Sequence, residues 1–129
     1  MARIGYARIS TAEQTLDMQR DALRGAGCTE ILEDLGISGS QRSRPGLDQV
    51  LGRLGQDDVL VVWKLDRLGR SLPHLIEILD LVGQRGAGFQ SLTEMIDTTT
   101  PGGRLIFHVM GALATFERDL IAERTKEGM

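Results

Sequence analysis

The sequence predicts an α/β domain: a mainly parallel sheet of about four to five strands, flanking helices and a long C-terminal helix. Strand-like and helix-like segments alternate along the chain, which is the pattern of a parallel sheet with helical crossovers. Val59-Leu-Val-Val-Trp63 is an unbroken apolar run behind Asp57-Asp58, as expected of a strand buried on both faces. Apolar residues then recur at helical spacing through Ile106, Val109, Met110, Leu113, Phe116, Leu120 and Ile121, up to the end of the chain.

Each element has its own signal. Ile4, Tyr6, Arg8 and Ser10 alternate with Arg3, Gly5, Ala7 and Ile9, so a first strand puts Tyr6, Arg8 and Ser10 on one side. Ser10-Thr-Ala-Glu13 has the form of a capping box that opens a helix. Ala12, Leu16, Leu23 and Ala26 mark its apolar stripe, and Gly25-Ala-Gly27 ends it. Gln19 falls on that stripe, so either it meets a polar partner there or the face is wider than this stripe. A second strand is expected at about 28–34, and the Gly-, Ser- and Arg-rich stretch from Leu35 to Arg44 is expected to be a mobile loop. Pro45 opens a helix to about Gly55. Leu72 to Arg85 is amphipathic, with Leu75, Ile78, Leu79 and Val82 inward, and Gly86 to Leu92 is a fourth strand. Thr100 caps the last helix, with Pro101 at its first position.

Composition bounds the function. The chain's 129 residues fit one domain with one core, here 1–129, without repeats or linkers. No apolar run approaches the roughly 18 residues of a membrane span, and the start enters a strand without a signal-peptide core. The single cysteine, Cys28, allows no internal disulfide and fits a reducing compartment, where a buried, inert thiol is expected. A net charge of −3 argues against DNA binding by bulk electrostatics. Yet 13 of the 15 basic residues are arginine, so positive charge, where it clusters, is of the phosphate-clamping kind.

Ligands in open α/β sheets sit at the carboxyl ends of the strands. Ser10 ends strand one, Asp34 ends strand two, and Asp66-Arg67 follows strand three, so distant points of the sequence converge there. A hydroxyl, arginines and a carboxylate suggest chemistry on a phosphate. Each residue also has a plainer reading. Ser10 is a good helix cap, and Arg8, Arg67 and Arg70 read singly as surface charges. Against that, Arg8 shares a strand face with Ser10, and Arg67 and Arg70 lie three apart, as on a helical turn. Asp66 either orients Arg67 or transfers a proton. Asp34 is open to three roles: general base, metal ligand or arginine partner. An Asp34–Asp66 Mg²⁺ site is conceivable, and the arginines would make it redundant.

Tyr6-Ala-Arg8-Ile-Ser10-Thr11 and Lys64-Leu-Asp66-Arg67-Leu-Gly-Arg70-Ser71 resemble the two catalytic blocks of the serine site-specific recombinases, the resolvases and DNA invertases. Glu33-Asp34, Ser38-Gly39 and Arg44-Pro45-Gly46-Leu47 resemble the segment that links them. Ser91-Leu-Thr-Glu-Met-Ile-Asp97-Thr, and Met110 to Arg118 with Glu123-Arg124-Thr125, also fit. The resemblance covers nearly the whole chain and is nearest to the invertases.

That resemblance implies a resolvase-like catalytic domain in which Ser10 attacks a DNA phosphodiester, forms a 5′-phosphoserine link and releases a 3′-hydroxyl. Strand exchange and religation follow without ATP, cofactor or metal. Arg8, Arg67 and Arg70 would bind the scissile phosphate, with Arg44 reaching in from the loop, and Tyr6, Gln14, Gln19 and Asp34 in support. The terminal helix would carry oligomer contacts at Met110, Phe116, Glu117, Arg118, Glu123 and Arg124, building a homodimer and then a homotetramer on double-stranded DNA. An accessory DNA-bending protein and a cytoplasmic setting in a bacterium or phage-infected cell belong to the same expectation. The family's helix-turn-helix domain is not in this sequence, so an isolated catalytic domain ending within its long helix is expected. A phosphate-binding module or an oligomerisation module without catalysis is the competing reading.

Overall fold

The computed structural model describes residues 2–9, 15–35, 45–69 and 72–127. In chain order the elements are β1 (Arg3–Ile9), α1 (Thr15–Gly25), β2 (Glu30–Leu35), α2 (Pro45–Arg53), β3 (Val59–Val62) and a 3₁₀ turn (Leu65–Arg67). Then come α3 (Leu72–Gln84), β4 (Gly88–Ser91), β5 (Ile96–Asp97) and α4 (Pro101–Glu127). The sheet order is β2-β1-β3-β4-β5. The first four strands are parallel, and β5 runs antiparallel to β4 at the edge. This is the predicted class. The short edge strand β5 is the element that the hydrophobic pattern did not distinguish.

Helices cover both faces, which is why β3 carries apolar residues on both sides. On one face Ile4, Tyr6, Leu60, Val62 and Phe89 pack against Leu47 and Val50 of α2, Leu54 just after it, and Leu75, Ile78, Leu79 and Val82 of α3, with Phe107 and Met110 of α4 against that cluster. On the other, α1 lays Leu16 and Leu23 over Ala7, Val59 and Val61. Cys28 packs beside this second cluster, and burial pushes its thiol pKa up.

Two strands begin later than expected, for one reason. α1 ends with Gly27 at φ +89, where Gly27 N donates to Arg24 O (3.0 Å) and Cys28 N to Leu23 O (3.1 Å). α3 ends the same way at Gly86, φ +73, with Gly86 N on Gly83 O and Ala87 N on Val82 O. Both are left-handed glycine caps. They use residues 28 and 86–87, which would otherwise begin the strands. The N-terminus of α4 follows its sequence signal: Thr100 Oγ1 accepts the Gly103 N–H at 3.0 Å. The capping box at Ser10–Glu13 and the loop residues 36–44 lie outside the described residues. Among the described residues no helix is long and apolar enough to cross a membrane.

Candidate active site

Three parallel strands end at one edge of the sheet. β1 brings Arg8 beside Asp34 of β2, its register partner, and β3 runs on through Trp63 and Lys64 into the 3₁₀ turn that holds Asp66 and Arg67. Arg8 is only 7% exposed. A guanidinium so buried needs fixed partners, and its Nε donates to the Arg67 carbonyl oxygen at 3.2 Å. Arg8 thus ties the end of the first strand to the turn after the third.

Gln19 resolves the polar residue on α1's apolar stripe. It is fully buried. Its Nε2 donates to Arg8 O at 3.2 Å, and its Oε1 accepts Arg8 N–H at 3.3 Å. β3 pairs with β1 only as far as Tyr6, and at Arg8 the Gln19 amide makes both backbone hydrogen bonds. The helix thereby pins the backbone two residues before Ser10.

Asp34 is 3% exposed. Its Oδ2 accepts from Tyr6 Oη at 2.7 Å and from Leu47 N at 3.1 Å, and its Oδ1 accepts from Gly46 N at 2.7 Å. It therefore caps the N-terminus of α2 from a neighbouring strand. To the three roles open from sequence this adds a structural one. The contacts observed are those of a cap. Gly46 is required by the same approach: a Cβ would lie 2.6 Å from Glu33 O. The first turn of α2, immediately after Arg44 in sequence, is so clamped to the end of β2.

The 3₁₀ turn is held from the far side by Glu94, which pattern reading missed as an individual residue. Its carboxylate accepts the Leu65 N–H at 3.3 and 3.4 Å and the Ser91 hydroxyl. Thr93 N donates to Trp63 O at 2.9 Å. The only sequence signal was the place of Glu94 in the Ser91–Asp97 block. Trp63 carries Lys64 Nζ at 4.7 Å and Arg67 Cζ at 5.7 Å from its ring centroid.

The structure therefore gathers Tyr6, Arg8, Gln19, Asp34 and Arg67 at one edge. Ser10, Gln14, Arg44 and Arg70 lie outside the described residues, as does the side chain of Asp66. In α4, the side chains of Glu117, Arg118, Glu123 and Arg124 are also outside them. The apolar positions of α4 divide between two sides. Leu105, Ile106, Val109, Leu113 and Phe116 are exposed. Met110 instead packs, half-buried, on the domain's own core, because it follows Phe107 by three residues on the inward side.

The match to known proteins is continuous along this framework. A family described as the resolvase N-terminal domain matches residues 3–129. The chain belongs to the resolvase N-terminal domain family. It is 57% identical over 126 residues to a DNA-invertase of Enterobacteria phage P7, covering 98% of this chain and 67% of that protein. To the serine recombinase gin of Escherichia phage Mu it is 56% identical, covering 98% and 65%. The chain thus spans about two thirds of the length of these relatives. Among solved structures, the N-terminal catalytic domain of TP901-1 integrase superposes with a TM-score of 0.84 at 29% identity, over 93% of this chain and 98% of that one.

Proposed function

We propose that this resolvase-family domain cleaves and rejoins DNA by serine catalysis within a site-specific recombinase. Ser10 Oγ attacks phosphorus, a Ser–O–P bond forms and the P–O3′ bond breaks. One proton leaves the hydroxyl and one reaches the departing 3′ oxygen. The 5′-phosphoserine retains the energy of the phosphodiester, and attack by another 3′-hydroxyl reverses the step on a new partner strand. Arg8, Arg67, Arg70 and Arg44 stabilise charge on the non-bridging oxygens, with Asp66 orienting Arg67. Gln19 and Asp34 support this set by holding Arg8 and the start of α2.

One observation carries the reading. A nine-tenths-buried arginine two residues before Ser10 is fixed both to the turn containing Arg67 and, through its backbone, to Gln19. Burying that charge is costly, and its hydrogen bond to the Arg67 carbonyl fixes where the charge sits. The partners we assign are double-stranded DNA at a recombination site and further copies of this chain. The copies meet through the exposed apolar side of α4 as a dimer and then a tetramer, in the cytoplasm of bacterial cells. A DNA-bending accessory protein would act on the assembled complex. The test is to trap a covalent protein–DNA species by rapid denaturation of the complete protein on its site. The wild type should yield the adduct and Ser10→Ala none, with unchanged circular dichroism. An adduct formed by Ser10→Ala would remove Ser10 as nucleophile, and none from either protein would favour a binding or assembly module.

A further inference from the structure

Lys64 lies at the same edge but outside the arginine set. It follows the end of β3 directly and makes no ion pair among the described residues. Its ammonium sits over the Trp63 ring, 4.7 Å from the centroid, and the guanidinium carbon of Arg67 lies 5.7 Å from the same centroid. A cation–π contact at a half-exposed ring is worth only about 0.5–1 kcal/mol, so it orders the lysine without neutralising it. Glu94, the carboxylate that reaches this turn from the β4–β5 connection, is already engaged by Leu65 N–H and the Ser91 hydroxyl. Two cations thus share one indole at the strand ends, where ligands of such sheets sit.

We propose that Trp63 and Lys64 form a second phosphate position, which holds a DNA phosphodiester flanking the one at Arg8 and Arg67. This rests on the reading that DNA occupies this edge. The residue types divide the work. The planar guanidinium suits the phosphate whose oxygens gain charge, while a compact ammonium is a point charge that holds a spectator phosphate without demanding bidentate geometry. The indole keeps that ammonium oriented before DNA arrives.

Trp63 is the only tryptophan of the chain, so its fluorescence reports on the position directly. The 129-residue chain is titrated at low salt with a short labelled duplex, following Trp63 emission and duplex anisotropy together. The two signals should saturate with the same midpoint. Lys64→Gln should weaken binding and make the log–log salt slope shallower by about 0.9, the share of one phosphate contact. Lys64→Arg should keep most of the slope, and circular dichroism should match across variants. Duplex binding with unchanged Trp63 emission, a wild-type slope in Lys64→Gln, or no duplex binding at low salt would overturn the proposal. The Ser10 adduct is scored separately. An adduct together with a wild-type Lys64→Gln slope refutes this subsite alone, whereas a changed slope without an adduct refutes the catalysis alone.

Discussion

At the carboxyl edge of the sheet, Arg8, Gln19 and Asp34 are buried, and each is hydrogen-bonded to a different segment of the chain. At the amino edge lies a concave space of about 560 Å³ bordered by Asp57, Asp58, Gly86, Thr99 and Arg104. Beside it a more apolar cavity of about 260 Å³ opens between α3, β4 and α4, against Val82, Phe89 and Phe107. The polar groups around these hollows do turn work. Asp58 accepts the Ala2 and Gly55 N–H groups at 2.9 Å each, and Asp57 N donates to Gly86 O. The carboxyl edge has the buried charge. Hollow space between loops and helices costs little, whereas a desolvated guanidinium must be held in place. Among the described residues, buried and cross-braced polarity marks the candidate site better than these two hollows do.

The strongest way to break this contrast is to compare arginines. Arg8→Lys and Arg67→Lys should each slow DNA cleavage by about 10²-fold or more, because a point charge cannot reproduce the guanidinium fork. Arg104→Lys, at the border of both cavities, should leave the rate unchanged. Single-turnover cleavage of site DNA by the complete protein decides it. Equal losses at Arg8 and Arg104 would erase the distinction between the edges.

A smaller effect is expected on stability at the carboxyl edge. Asp34→Ala removes the acceptor for Tyr6 Oη and for two N–H groups of α2. Leaving buried donors unmatched should cost about 2–4 kcal/mol in urea unfolding. A wild-type midpoint would mean that Asp34 is not the brace described above.

The smallest effect concerns the amino edge and its pH dependence. The backbone N–H groups of Gly55 and then Ala2 hold the Asp58 carboxyl below its ordinary range. Its folded pKa is therefore below the unfolded value of about 3.9. The stability it contributes is complete above that value and is lost as pH falls through the folded pKa. Asp58→Asn should flatten the melting temperature against pH below about 4 and leave its shape at neutral pH unaltered. An identical acid limb in the variant would show that other carboxylates carry the titration.

Gln19 shows how far a sequence can be read by itself. Its polar amide on an apolar helical stripe signalled a polar partner or a wider face, and nothing local named the Arg8 backbone. Asp34 was legible as a strand-end carboxylate, but its capping contacts were not, because its donors come from Tyr6, 28 residues away, and from Gly46, 12 residues away. Glu94 was invisible as a brace, since the turn it supports is 29 residues distant.

What the sequence determined was the local grammar. The period-2 and period-3.6 patterns set the strands and helices, Thr100 and Pro101 open α4, and the Arg8–Ser10 and Asp66–Arg67 blocks identify the family. These features depend on neighbours within a turn or two, where backbone preference and side-chain spacing act directly. Tertiary structure decided the rest. It set which donors meet Asp34, which backbone Gln19 completes, that Arg8 joins the Arg67 carbonyl 59 residues on, and that Met110 turns inward while Val109 and Leu113 face out. Those outcomes depend on strand order and on which helix covers which face. Hydrogen bonds of a few ångströms between residues far apart in the chain exist only once the sheet has set their register.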